Sequence, residues 1–159
     1  MKSKAFYSLI ALLAIVVFSS FSASKSNYQI ECVRISPDGY VLLKIWDLQK
    51  GANYKLEQAQ IDVVNNLLYA GFSGKNDCVT QSPFLNSNEE IANFKKIEKN
   101  FYSKSGKYTF FIKGSIKVSI QNNIIPNKSI KVFEIEVSKN ELRKYLEEEK
   151  IIKSLNNGF

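Results

Sequence analysis

The stretch "NYQIECVRISPDGYVLLKIWDL", residues 27–48, decides the fold class. Two runs rich in β-branched and aromatic residues flank Pro37-Asp38-Gly39. Proline presets the first turn position and glycine takes the positive φ of a short bulged connection, so the stretch predicts a β-hairpin. Strands joined by so short a turn are antiparallel. Cys32 lies within the first of them.

Gly51 ends the second strand, and residues 53–72, "NYKLEQAQIDVVNNLLYAGF", follow. Leu56, Ala59, Val63 and Leu67 recur at helical spacing, with Val64 and Leu68 widening the stripe, and Asn53 is the expected N-cap. Residues 73–87 are polar and include Pro83, which predicts a loop. A second helix follows in "SNEEIANFKKIEKNFY": Ser87 and Glu90 fit a capping box, and Ile91, Phe94, Ile97 and Phe101 form its apolar stripe. In "KYTFFIKGSIKVSIQ", residues 107–121, the even positions Tyr108, Phe110, Ile112, Ile116, Val118 and Ile120 are apolar. That period of two predicts one long half-buried strand, with Gly114 marking a bulge or bend. "NNIIPNK" connects it, by a turn at Pro126-Asn127, to a last strand, "SIKVFEIEV". Ser138 and Glu141 fit a second capping box before the final helix. The order is ββ-α-α-ββ-α. The expected fold is α+β: a four-stranded, mainly antiparallel sheet with helices on one face and charge alternating on the other.

The first 24 residues differ in composition. Lys2 and Lys4 precede an apolar run from Phe6 to Phe18, and small residues follow in "SSFSAS". A basic start, a short apolar centre and a small-residue end are the pattern of a signal peptide, with cleavage after Ser22 or Ser24. The run is shorter than the roughly 18–20 apolar residues that span a bilayer. The expected organisation is a signal peptide over 1–24 and a single α+β domain over 25–159, exported to the periplasm or secreted. Membrane attachment is expected only through an uncleaved N-terminal segment.

Removing the leader takes two lysines and leaves 20 basic against 15 acidic residues, a net +5. The excess is local. Lys95 to Lys131 holds nine lysines and one acidic residue, Glu98. Lys95, Lys96, Lys99, Lys104, Lys107, Lys113 and Lys117 therefore make a candidate anion-binding surface, set against the simpler reading of solvated faces. Lys113 and Lys117, an even number of residues apart, are expected to share one strand face.

Composition excludes much chemistry. The chain has no histidine, so Ser–His–Asp, Cys–His and His-ligated metal arrangements are excluded. Carboxylate pairs are the remaining acid–base option, and nothing in the spacing of Glu57, Asp62, Glu89, Glu90, Glu98, Glu134 and Glu136 singles out a pair. No catalytic residue and no cofactor is assigned. The glycine-rich stretch "YAGFSGKNDC", residues 69–78, lacks the spacing of a P-loop or a nucleophile elbow and follows a helix rather than a strand. It predicts a helix C-terminus at Ala70 with Gly71 in the left-handed conformation. Tyr102, Tyr108 and nearby lysines have the makings of a single-strand surface, but an exported location leaves no nucleic-acid partner expected. Cys32 and Cys78 are the only cysteines, and export places them where disulfides persist, so they are expected to pair.

Residues 40–74, "YVLLKIWDLQKGANYKLEQAQIDVVNNLLYAGFSG", resemble a recurring segment of small exported Bacteroidota proteins of unassigned activity. In those a strand runs into a glycine, then a helix, an apolar end and a second glycine. "ELRKYLEEEKII" looks like their closing helix, and Cys78 sits where many of them carry a cysteine. More distantly, the strand–helix unit is similar to the small α/β domain of certain outer-membrane lipoproteins and of flagellar assembly protein T. This chain departs from the pattern at Asp47, where a glycine often stands, and at Gln58 and Gln60 around a single Ala59. The resemblance implies an envelope or secreted α+β module with no catalytic motif. The functional expectation is a non-catalytic exported module that binds an envelope component or protein partner. The alternatives are a basic module for an anionic polymer or lipid head group, and a carboxylate-dependent enzyme.

Export has a direct check. Protein recovered outside the cytoplasm should have lost about 22–24 residues by intact mass. Full-length chain recovered in the membrane fraction would contradict cleavage.

Overall fold

The computed structural model describes residues 27–75, 77–121 and 129–154, with side chains through Ile116 in the second of these segments. The expected leader and the Pro126-Asn127 turn lie outside the described residues. Four strands make one sheet: β1 (Tyr28–Ile35), β2 (Tyr40–Asp47), β3 (Ile112–Gln121) and β4 (Ile130–Ser138). The helices are α1 (Leu56–Tyr69), α2 (Asn88–Phe101), the single turn α3 (Tyr108–Phe111) and α4 (Lys139–Glu148). The sheet order is β1-β2-β4-β3, and every neighbouring pair is antiparallel. This is the α+β fold the alternation predicts.

The core lies between one sheet face and the helices. Val41, Leu43 and Ile45 on β2 stand opposite Val137, Ile135 and Phe133 on β4, and all six are buried. Ala59, Val63, Val64, Leu67 and Leu68 of α1 join the same cluster. Full burial of each aliphatic side chain contributes about 1.5–3 kcal/mol before ordering costs. Phe94 and Phe101 of α2 continue the core as an edge-to-face pair with ring centres 5.1 Å apart. Alternate residues face the other side, where Lys44 stands opposite Glu134 and Arg34 reaches Glu136 at 3.1 Å. Trp46, Ile130 and Val132 make a smaller buried cluster, and the buried Trp46 Nε1 has no hydrogen-bond partner among the described residues.

The β1–β2 turn forms as its residues require. Gly39 has φ 83°, and a Cβ there would lie 1.9 Å from the Asn140 side chain. Gly39 carbonyl oxygen also accepts from Lys139 N at 3.1 Å, so the hairpin turn seats the start of α4. The Ser87–Glu90 capping box is present in both directions.

Three local expectations are corrected. Asn53 is not a helix cap: Gly51–Asn53 is a 3-10 turn, and α1 begins at Leu56 after Lys55, which makes no side-chain cap bond. Ser138 occupies the N-cap position of α4 without a side-chain cap bond. The long strand does not begin at Tyr108. Tyr108 and Phe111 pack inward three residues apart, a helical interval, and β3 starts only at Ile112.

The phase of β3 also differs. Its register against β4 shifts between Ile112 and Gly114, beside the expected bulge. One extra residue exchanges the two faces of a strand. Ser115 therefore stands opposite the inward Ile135 and accepts a hydrogen bond from Gln60 Nε2, while Ile116 stands opposite Glu134 and is 66% exposed. Phe110, expected on the buried face, is 64% exposed. Lys117 stands opposite Phe133 in the register. Its side chain lies outside the described ones, so the face expected of it with Lys113 does too.

Tyr54 shows no exposure, and its hydroxyl donates to Asp62 Oδ2 at 2.8 Å, while Gln58 Nε2 donates to Oδ1. Burial first, then the Asp62 charge, pushes the Tyr54 hydroxyl well above the ordinary tyrosine range. Burial does the same to Tyr69 and Tyr102. A group whose folded pKa is raised contributes stability that is present below its unfolded pKa, about 10 for tyrosine, and is lost above it. The melting temperature should therefore fall as pH rises from about 10 upward. Tyr54→Phe should flatten that slope while lowering the neutral-pH value by loss of the buried bond. An unchanged slope in Tyr54→Phe would contradict the assignment.

Cys32 and Cys78 are bridged, with Cα atoms 6.1 Å apart and a sequence separation of 46. Both are buried in the main cluster. On the chain-entropy relation such a bridge stabilises the fold by about 4 kcal/mol. Reduction followed by alkylation should lower the urea midpoint accordingly. Quantitative alkylation of native protein without reductant would contradict the bridge.

Candidate functional site

A concave feature is built by the segment after α1. Ala70 and Gly71 amides both donate to Asn66 carbonyl oxygen, and Gly71 has φ 69°. This is the helix cap that "YAGFSGKNDC" predicts, with Phe72 buried just beyond it. A Cβ on Gly71 would lie 2.0 Å from Gln81 carbonyl oxygen, so only glycine lets the returning chain approach. Phe72 and Gln81 then exchange both main-chain bonds at 2.9 Å as an isolated antiparallel bridge. Phe84 and Leu85 amides donate to the carbonyls of Leu67 and Leu68, fastening the far end of the segment to α1.

This segment stands beside β1 and leaves a groove of about 620 Å³ between them. One wall is residues 70–75 and 80–83; the other is Ile30, Glu31 and Cys32. Three consecutive residues of a strand point their side chains to alternate faces. What they jointly present to the groove is therefore the strand's edge, its main chain. β1 is an edge strand, and among the described residues no backbone hydrogen bond joins Gln29–Cys32 to anything but β2. The disulfide closes one end, because Cα atoms 6.1 Å apart leave no room for another chain between them. Just past it the β1 register against β2 shifts between Cys32 and Arg34 and then resumes at Arg34 and Ile35. Volumes of this order are typical of ligand sites.

Of the predicted site residues, Cys32 and Cys78 are brought together, and Cys32 lines the groove. The lysines lie elsewhere. Lys95, Lys96 and Lys99 are exposed on α2, Lys104 and Lys107 on the turn leading into α3, and Lys113 at the start of β3. Lys96 Nζ donates to Asn93 Oδ1 at 2.8 Å. Lys113 Nζ pairs with Glu141 at 2.8 Å. Their hydrogen bond raises the Lys113 pKa and lowers that of Glu141.

Four of the seven candidate carboxylates have structural partners. Asp62 holds Tyr54 and Gln58, Glu90 closes the α2 cap, Glu98 accepts from Tyr69 and Glu136 pairs with Arg34. Among the described residues no three cysteine, aspartate or glutamate side chains gather as a metal site would require. Residues Ile30, Glu31 and Ser73 of the groove escape sequence reasoning, because edge position depends on strand order. Comparison with protein families, with curated proteins and with solved structures finds no match to this chain.

Proposed function

We propose that the chain is an exported, non-catalytic binding module that takes an extended segment of a partner protein along the β1 edge. The observation that carries this reading is that Ile30–Cys32, on an edge strand, line an open groove where, among the described residues, no second strand pairs with them. An added strand supplies main-chain hydrogen bonds for affinity, and alternate side chains entering the groove supply selectivity. The disulfide acts as an end-stop, so the occupant pairs with Gln29–Glu31 and then turns away or ends. Residues 70–75 and 80–83 keep the opposite wall in place through Gly71, the Phe72–Gln81 bridge and the attachment to α1, which lowers the ordering cost of binding.

The location rests on the leader-like start of the sequence and on the disulfide, which is compatible with an oxidising compartment. Among the described residues no helix is long and apolar enough to cross a membrane. The resemblance of residues 40–74 to small exported envelope proteins belongs to the same reading. Exposed lysines on α2 and the following turn support a second surface, for anions.

Site-specific photocrosslinking in producing cells tests the groove. A photoreactive residue at Glu31 or Lys75 should capture one partner segment, whereas one at Lys144 on α4 should not. Ser73→Trp, which fills the groove from an exposed position, should lower the Glu31 capture at least tenfold without changing the melting temperature. Equal capture in Ser73→Trp would contradict the reading.

A further inference from the structure

We propose a second site: the turn from Lys99 to Phe110 docks the protein on an anionic bilayer surface. The inference stands on observations separate from the groove. From Lys99 to Phe133 the sequence contains no acidic residue. Lys99, Lys104 and Lys107 are exposed within the turn and its flanks. Phe110, in the same stretch, is 64% exposed, with Lys107 Nζ 5.1 Å from its ring centre.

The local fold explains why that ring faces outward. Tyr108 and Phe111 are buried, and they anchor α3 from one side. A single helical turn held by its first and fourth residues must present its third to solvent. The turn is also stiff. Gly106 N donates to Ser103 carbonyl oxygen at 2.7 Å, Thr109 Oγ1 to Gly106 carbonyl oxygen at 2.8 Å, and Phe110 N to Lys107 carbonyl oxygen at 3.1 Å. The ring and its lysines are therefore presented with little left to order on contact.

Charge alone would suit any polyanion, and Phe110 decides between them. A soluble anionic polymer uses the ammonium groups and gives an exposed phenyl ring nothing apolar to enter. A bilayer offers both: phosphates for the lysines and the acyl boundary for the ring. Lysine stems lie along the apolar layer while their ammonium groups stay at the phosphates, the arrangement already made by Lys107 over Phe110. Lys113 adds less, since Glu141 holds it.

Sedimentation of the leader-free protein with vesicles tests this. It should partition onto phosphatidylcholine vesicles containing phosphatidylglycerol, not onto phosphatidylcholine alone, and salt should weaken binding. Lys104→Glu with Lys107→Glu should lower partitioning by about tenfold or more. Phe110→Ser should lower it about fivefold while leaving retention on dextran sulfate unchanged. Phe110→Trp should keep binding, and its emission should shift to the blue on vesicle contact. Ser73→Trp should have no effect, which separates this site from the groove. Absence of partitioning at low salt, wild-type partitioning in Phe110→Ser, or an unshifted Phe110→Trp emission would each overturn the proposal; the second would leave a polyanion surface only.

Discussion

The pairing of β2 with β4 is the constraint on which the rest depends. It sets Val41, Leu43 and Ile45 against Val137, Ile135 and Phe133 and so gives the helices one continuous apolar floor. It also inserts β4 between β2 and β3, although β3 comes first in the chain. The two outer positions then fall to β1 and β3. A free edge carries main-chain groups that no internal partner satisfies, and proteins manage such edges by covering, bending or using them. On β1 the register against β2 shifts past Cys32, and Ile30–Cys32 line the groove.

The disulfide limits the length of edge that borders the groove. Cys32 belongs to β1 and Cys78 to the segment after α1, so the bridge ties the outermost strand to the helical layer across the core's rim. Without it β1 would be held by β2 alone among the named strands. With it, the groove has a closed end. Gly71 does the complementary work on the other wall, since any side chain there would push residue Gln81 away and open the segment. Neither feature involves a reactive group. The peptide recognition proposed for the groove would work main chain against main chain.

Legibility in the sequence followed the range of each interaction. The hairpin, the end of α1 and the cap of α2 are local, and Pro37-Asp38-Gly39, Gly71 and Ser87–Glu90 signal them within a few residues. The cysteine pairing was accessible from compartment chemistry. The start of β3 was not, because "YTFF" satisfies both periods: Tyr108 and Phe110 alternate, while Tyr108 and Phe111 are a helical interval apart. Packing against Phe101 and Tyr145 selects the helical choice. The bulge after Ile112 then reversed the faces and left Ile116 outside. Strand order is a long-range property with no local mark, so the edge position of β1, and with it the groove, was hidden. The lysine surface was legible as charge, but the outward Phe110 that gives it a second chemistry depends on how α3 packs.

Amide hydrogen exchange along β1 addresses the edge most directly. Amides that point to β2 are paired, and amides that point to the groove are bare, so protection should alternate residue by residue from Gln29 to Cys32. In β2 and β4, paired on both sides, neighbouring amides should be uniformly slow. Uniform protection along Gln29–Cys32 in the isolated protein would mean that the edge is already covered, and would contradict the account.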